Sequence, residues 1–428
     1  MRKWLIGCGV LFGLVFLLCA GGLVWLLTPP KIEVPPRQYP SQNAYKVYRA
    51  IGEEMHARFE TDTRFKQIEN VISRGEPVSK EDRDYYLQQI TPYLKRYAPL
   101  TQQPSKVIML YTPDYPFPEL GQFRRLARAE AYLMKQELRQ RRYREAVARA
   151  QRLNRLADQM REGGTLIHFL VGAAINAIAL RPIREELPRI QERAALEALL
   201  NLAKEYEKRR VPIWRCMETE MHWHLSIYRD LAEGHMRLSQ LSSSFSETDG
   251  GTLFTRALIK AALPEYKRVM EQAIEDLKRP YRERPIDTDA IEKQIRHPLN
   301  AILLPVFSRP SEIELSELAT LRLVGCVAAI RLYKQRTGKY PASLEALQLG
   351  EMVIDPFTGK PFVYKADPQR GFLLYSVSEN RVDDGGATPY FGSAEKHGDL
   401  SPTAVLLPKH LQGVPRERRP LAPPVWLR

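Results

Sequence analysis

The chain has 428 residues, with 64 Lys and Arg against 50 Asp and Glu, which gives a formal net charge of +14. This length has room for about two or three domains, and fractions of 44% hydrophobic and 27% charged residues exclude wholesale disorder and a collagen-like repeat. Four cysteines exclude a disulfide-dense small scaffold and a cysteine-rich zinc array.

Residues 4–27 contain no charged side chain and predict a transmembrane helix. A helix of this length measures roughly 36 Å, enough to cross a hydrocarbon core of about 30 Å. A cleaved signal peptide has an apolar stretch of only about 7–15 residues, whereas here Leu26 and Leu27 continue the stretch past its small residues. Because no second stretch of comparable length exists, we expect one retained span.

The charges around this span predict its orientation. Arg2 and Lys3 precede it, so the positive-inside rule places residues 1–3 in the cytoplasm and the bulk of the chain outside it. Gly9 and Gly13 form a GxxxG pattern that brings two spans together as a homodimer in some proteins. The alternative is that glycine is simply common in membrane helices.

After the span, residues 28–40 carry five prolines and predict a stiff, extended spacer that holds the body off the bilayer. Residues 41–310 predict an α-helical body, because apolar residues recur there at three- and four-residue intervals. Its clearest helices are expected at 120–140, 141–160, 165–183 and 194–210. The third is apolar almost all round, which is typical of a buried helix.

Residues 140–157 (QRRYREAVARAQRLNRLA) resemble the second helix of tetratricopeptide repeats. The pattern does not recur at a 34-residue period. The resemblance therefore implies helical-hairpin packing of that style rather than a repeat array.

The C-terminal part predicts one long helix at 314–337, followed by two short strands with turn residues before and between them. It resembles the globular part of the major pseudopilin of type II secretion systems. The matching elements, in order, are Leu332-Tyr333, Gly338-Lys339-Tyr340-Pro341, Asp355-Pro356-Phe357, Phe362-Val363-Tyr364 and Leu374-Tyr375-Ser376.

This resemblance implies an α+β module at 311–392. The composition of residues 393–428, rich in Pro and Arg, predicts a tail that is largely disordered or draped. It also implies a bacterial inner membrane and a link to a secretion or pilus-like machine. A pilin has a Glu near the start of an apolar helix that continues into the globular part. Here the span lacks that Glu and lies about 290 residues upstream, so we do not expect processing as a pilin.

The last loop of the pseudopilin module binds calcium in some members of that family. Asn380, Asp383 and Asp384 occupy the corresponding stretch here, while Arg381 stands where the family commonly has glycine. Calcium needs about six to eight oxygen ligands, so such a loop must recruit carbonyls and water. A solvated turn made of turn-forming residues is the alternative, and no other cofactor is expected.

Other candidate residues have ordinary structural explanations. His222 and His224 lie about 200° apart on one helix, which does not favour a shared metal ion, and His168 is expected in the core. Cys216 and Cys326 lie outside the span and either pair or pack as small core residues.

The basic charge is concentrated in residues 121–160, where eleven Lys and Arg face four Asp and Glu. Such a face suits anionic headgroups or an acidic protein partner, with a solvated surface as the alternative. Nucleic acid is disfavoured because this part of the chain is expected outside the cytoplasm.

No phosphate loop, nucleophile elbow or pair of catalytic carboxylates stands out in the sequence. The sequence therefore favours a membrane-anchored, extracytoplasmic scaffold or interaction protein, with an envelope enzyme of hydrolase type as the alternative. A groove lined by Arg and aromatic residues favours the scaffold. A cleft with convergent polar groups of shifted pKa favours the enzyme.

Overall fold

The structure is a computed structural model that describes residues 21–22, 24–25, 27–109, 117–242, 251–280, 283, 293–304, 308–390, 398–412, 414–415 and 418–428. The chain is mainly helical, with a small antiparallel sheet of two strands near its C-terminus. Most of the predicted span, including Gly9 and Gly13, lies outside the described residues, so the span and its dimerisation stay predictions. Residues 21, 22, 24, 25 and 27, at its end, are helical.

The helices of the first half are α1 (Ala44–Phe59), α2 (Thr63–Arg74), α3 (Lys80–Tyr97), α4 (Pro118–Arg139), α5 (Tyr143–Arg161) and α6 (Leu166–Glu186). Side-chain caps begin the first three: Asn43, Asp62 and Ser79 each accept a hydrogen bond from a backbone N–H in the first turn. Gly75, in the left-handed conformation at φ +76°, ends α2 and turns the chain toward α3.

The second half contains α7 (Arg193–Arg209), α8 (Ile213–Glu233), α9 (Gly251–Lys278), α10 (Pro298–Leu303) and α11 (Ser308–Thr337). The two strands, β1 (Val363–Asp367) and β2 (Gly371–Tyr375), pair antiparallel, with Val363 opposite Tyr375. The predicted long helix and the two predicted strands are therefore present.

Helix α6 is the predicted apolar helix. Together with the short 3-10 turn that follows it, the segment Leu166–Arg189 is long and apolar enough to cross a membrane by length and composition alone. The expectation that no second stretch of comparable length exists is therefore wrong. Most of this segment is buried, and α6 packs against α4, α5 and α8 as a core helix does.

The side chains form two hydrophobic cores. The first joins α1–α7 to α11 and the sheet, so that Leu153, Leu199, Val324 and Phe372 belong to one cluster. The second core lies between α8, α9 and α10 and includes the start of α6. The module predicted at 311–392 thus shares its hydrophobic core with the helical body, because α11 packs on α7 and α6.

The C-terminal tail is draped over the module in the part that the structure describes. Leu427 exchanges two backbone hydrogen bonds of 2.8 Å with Phe372 on β2, and Gly371, at φ +106°, gives room for the Leu427 carbonyl. Arg331 on α11 is buried and donates to the backbone carbonyls of Arg428, Leu187, Pro188 and Ile190. These contacts fasten the end of the chain to both module and body.

The predicted spacer at 28–40 packs against the helical body. Ile32 is buried in the second core, and Val34 packs against that core. Arg37 donates hydrogen bonds to the carbonyls of Gly163 and Val107. The prolines keep this segment extended, but its apolar side chains are buried against the body, and burial of apolar surface favours that packing over free extension.

Candidate functional site

A groove of about 590 Å³ opens between α4, α6 and the connection from α2 to α3. Helix α4 forms one side with Arg128, Tyr132, Lys135 and Arg139, among others. The other sides are formed by residues 72–78, by Arg83 of α3, and by Ile178, Arg181 and Pro182 of α6. Segments more than a hundred residues apart in the sequence thus meet at this groove.

The cations of α4 form a row along the groove. Arg128, Lys135 and Arg139 are separated by seven and four residues, which places their side chains on one side of the helix. At about 1.5 Å per residue, this row is roughly 16 Å long. Tyr132 lies between the first two of them and adds an aromatic ring to the groove.

Positive charge dominates the groove. Five cationic residues line it, and the lining acid is Glu76, whose carboxylate pairs with Arg74 at 2.6 Å. Two of the five cations have acid partners outside the lining: Arg83 pairs with Asp84 at 3.1 Å, and Arg181 pairs with Glu185 at 2.7 Å. Burial lowers the pKa of Lys135, and the nearby guanidinium groups of Arg181 and Arg139 lower it further against the opposing effect of Glu185. Glu185 is already paired with Arg181, so it compensates the charge of Lys135 only in part, and a bound anion would complete that compensation.

The groove accounts for part of the basic stretch predicted at 121–160. Four of its eleven cations pair with acids inside the fold: Arg125 with Glu69, Arg149 and Arg152 with Glu130, and Arg155 with Glu205. The expectation of one basic face is therefore wrong for those four. Arg128, Lys135 and Arg139 face the groove, and the remaining cations of the stretch are exposed.

A buried polar network joins the body to the long helix α11. Glu317 accepts two hydrogen bonds from Arg161, at 2.9 and 2.6 Å, one from Asn176 at 2.5 Å, and one from the Tyr206 hydroxyl at 2.8 Å. Arg161 is only 1% exposed, and its guanidinium lies 4.5 Å above the Phe169 ring. This network is a structural clasp, since it is closed to solvent.

Asp158 lies beside this clasp, and neither of its carboxylate oxygens has a hydrogen-bond partner among the residues that the structure describes. Its nearest cation is Arg161 at 4.0 Å, and that group is already occupied by Glu317. Burial raises the pKa of Asp158 to about 7, and the Glu317 charge adds to that effect against the opposing charge of Arg161.

The histidines fill structural positions. His168 is buried, and its Nδ1 lies 3.0 Å from the hydroxyl of Thr165. Together these two side chains form a capping box at the start of α6. His224 is buried 2.9 Å from the Tyr266 hydroxyl and 3.7 Å from Glu220. Burial lowers the pKa of both imidazoles to about 3 and raises that of Glu220 to about 7. These groups lie in the interior, and they do not line the groove.

Cys216 and Cys326 are free thiols and both are buried. Cys216 belongs to the second core and Cys326 to the first, so each packs as a small core residue. Burial raises the pKa of Cys326 to about 12 and also raises that of Cys216, which makes both thiols poor nucleophiles.

The loop predicted to bind calcium is ordered by its own hydrogen bonds. Asp383 accepts from the Tyr375 hydroxyl and from the backbone of Gly385, each at 2.8 Å, and Asp384 accepts from Asn380 at 3.3 Å. Asp399, which sequence reasoning missed, is buried beside them, and within the described part of the chain one of its oxygens has no hydrogen-bond partner.

The chemistry of these donors suits calcium, because three carboxylates and an amide supply hard oxygen ligands. Burial raises the pKa of Asp399 to about 6, with the charges of Asp383 and Asp384 adding to the effect against the backbone N–H groups that bind its carboxylate. A cation beside the three carboxylates would relieve this repulsion. In this conformation, a different set of described residues has its ligand atoms close enough together for one ion. These are Asp230, Glu233 and His235, at the end of α8.

No protein-family model matches the chain, and no curated protein or solved structure is significantly similar to it.

Proposed function

We propose that this protein is a membrane-anchored, extracytoplasmic scaffold whose basic groove binds an acidic segment of a partner protein. The observation that carries the proposal is the row of Arg128, Lys135 and Arg139, three groove cations that form no ion pair with an acid in the described part of the chain, whereas Arg83 and Arg181 pair with Asp84 and Glu185. Groups with strongly shifted pKa, such as Asp158 and Glu220, lie in the interior and not in the groove. This separation favours binding over catalysis.

The anchor is the predicted span at 4–27, inserted in a bacterial inner membrane with residues 1–3 in the cytoplasm. Its last described side chains support this proposal, since Val24, Trp25 and Leu27 are helical and 62%, 53% and 50% exposed. Large apolar residues at such exposure on a helix favour a lipid environment.

The shape of the groove supports an acidic peptide as its ligand rather than a lipid surface. The cations lie in a cleft between α4 and α6, and an extended peptide fits a cleft more closely than a flat bilayer does. The row of roughly 16 Å matches about five residues of extended chain at about 3.3 Å each. Tyr132 and Ile178 add apolar surface that can contact the aliphatic carbons of the peptide's side chains.

The resemblance of residues 314–376 to the major pseudopilin supports a place for this scaffold as an accessory of a secretion or pilus-like machine. The tetratricopeptide-style packing of α4–α7 supports the same function, because stacked helices present broad binding surfaces. The second candidate, an envelope enzyme of hydrolase type, rests on no described cleft in which groups of shifted pKa converge.

The proposal is tested with full-length protein in detergent and a fluorescein-labelled peptide of eight Asp and Glu residues, read by anisotropy. The variant Arg128→Glu with Arg139→Glu should lose binding, while Arg124→Glu with Arg144→Glu should retain it. Arg124 and Arg144 are exposed and do not line the groove, so the control makes the same change in net charge. Equal binding by both variants would refute the groove as the site.

We also propose, from the resemblance and the burial of Asp399, that the loop at 380–386 binds calcium. Asn380, Asp383, Asp384 and Asp399 would hold the ion, which would tie the loop to the tail. Calorimetric titration of the full chain with calcium should show binding that is lost in Asp383→Ala with Asp384→Ala. No heat of binding by the unaltered protein would end this proposal.

A further inference from the structure

The end of the predicted span lies against helix α9. Arg256 donates a 2.7 Å hydrogen bond to the Leu27 carbonyl, and the Lys260 ammonium lies 4.3 Å from the centre of the Trp25 ring while bonding its carbonyl. Arg256 also donates to the carbonyl of Ala232 at 2.8 Å, which fixes its position between α8 and α9. The packed spacer and these contacts keep the body close to the point where the chain leaves the span.

The first turn of α9 presents two large apolar side chains at this point. Leu253 is 43% exposed and Phe254 is 51% exposed. At helical spacing, the exposed side continues from Leu253 through Ala257 to Ala261, which are small and apolar. Two adjacent large apolar side chains at this exposure, next to the end of the predicted span, form a patch and are not singly scattered surface residues.

The charges around this tip suit an anionic membrane surface. Arg256 and Lys260 flank it, and the nearby end of α8 adds Arg229 and Arg237 against Asp230 and Glu233, which leaves an excess of two positive charges. Trp25 is exposed beside Lys260, at the end of the predicted span. Tryptophan is typical of the interface between headgroups and acyl chains.

We infer that the start of α9 is a second membrane contact, in which Leu253 and Phe254 enter the boundary between headgroups and acyl chains of the leaflet from which the chain emerges. This inference rests on the membrane anchor of the proposed function, and it is independent of the basic groove. The contact fixes the orientation of the helical body on the bilayer, because a single span leaves the body free to rotate and tilt whereas two contacts do not.

The test uses full-length protein in vesicles of phosphatidylcholine and phosphatidylglycerol, with Phe254→Cys labelled by an environment-sensitive maleimide dye. Cys8 and Cys19 are replaced by serine, while the buried Cys216 and Cys326 are not expected to react. The matched control is Val47→Cys. The native Val47 side chain is 44% exposed on the outer side of α1, a helix whose opposite side packs in the first core.

We expect the dye at position 254 to show blue-shifted emission and several-fold stronger quenching by lipids spin-labelled near the headgroup than the dye at position 47. Equal spectra and equal quenching at the two positions would overturn the inference. A blue shift without quenching by lipid would also overturn it, because a protein surface, such as a second copy of the chain, would then cover the tip.

Flotation of the same vesicles after an alkaline wash separates the two proposals. If the chain leaves the vesicles, the anchor itself has failed. If it stays while the dye at position 254 behaves like the control, only the second contact has failed.

Discussion

Replacing Arg161 with methionine removes the cation from the clasp between the helical body and α11, and this change should destabilise the fold strongly. Glu317 would lose two charge-assisted hydrogen bonds while its side chain stays only 7% exposed. Asp158, whose carboxylate oxygens have no hydrogen-bond partner among the described residues, would lose the cation 4.0 Å away. Glu317 would keep its hydrogen bonds from Asn176 and Tyr206, but the two neighbouring carboxylates would lose the guanidinium that compensates their charge.

Breaking a buried ion pair on one side costs about 3–5 kcal/mol, because the remaining charge stays in the interior. At about 2.1 cal/mol/K per residue, unfolding 428 residues involves roughly 0.9 kcal/mol/K, so the Tm should fall by about 4 °C. Adding Glu317→Met to Arg161→Met removes the stranded charge. The double variant should therefore be more stable than the sum of the two single losses predicts.

The buried thiols provide the assay. Cys216 and Cys326 belong to the two different cores, so a maleimide dye that fluoresces on reaction reports unfolding of both in the full-length protein with Cys8 and Cys19 replaced. A Tm of Arg161→Met within about 1 °C of the parent, or additive losses in the double variant, would refute the clasp as a stabilising contact between body and module.

Three further changes have defined outcomes in the same assay. Asp158→Asn should leave stability unchanged near pH 4 and should raise it above that of the parent by about 2–4 kcal/mol at pH 8. The reason is that the pKa of Asp158 is about 7 in the folded protein and 3.8 ordinarily, so the parent loses stability as the pH rises from one value to the other. A difference between the two proteins that does not change with pH would contradict this. Arg331→Met should cost about 3 kcal/mol or more by stranding the carbonyls that it binds, and an unchanged Tm would contradict that clamp. Deleting residues 420–428 should cost about 3 kcal/mol through the lost burial of Leu427 and Ala422, and unaltered unfolding would show that the draped tail contributes nothing.

Hydrophobic periodicity predicted most of the helices and both strands, because these elements follow from residues that are neighbours in the sequence. The helices expected at 141–160 and 194–210 are found at Tyr143–Arg161 and Arg193–Arg209. The strand β2 differs from its alternating pattern because all five of its residues are buried. The tail pairs with it through Leu427, which lies 55 residues beyond its partner Phe372, so this coverage could not be read from the local sequence.

Only part of the groove could be predicted from the sequence. The basic stretch at 121–160 contains Arg128, Lys135 and Arg139, and their spacing of seven and four residues was the available signal that they share one side of a helix. Arg83 and Arg181 come from elements that meet α4 only in the folded chain. The internal use of Arg125 and Arg155 was hidden for the same reason, because their partners lie about 50 residues away.

Charge was also a poor guide to the buried network and to the loop that is predicted to bind calcium. Arg161 and Glu317 are 156 residues apart, and nothing in either local sequence marks them as interior residues. Asp399 lies 15 residues beyond Asp384, and only the folded tail brings it to the loop. Long-range pairing of polar groups depends on tertiary packing, which periodicity does not encode.

The most direct test of the scaffold is affinity purification of the full-length protein from crosslinked native membranes, with partners identified by mass spectrometry. The parent protein, the groove variant Arg128→Glu with Arg139→Glu, and the control Arg124→Glu with Arg144→Glu should be compared side by side. The account predicts that the parent and the control recover the same partners, with acidic segments among them, and that the groove variant loses them. Identical partners for all three proteins, or none beyond the chain itself, would contradict the groove as the binding site of a scaffold.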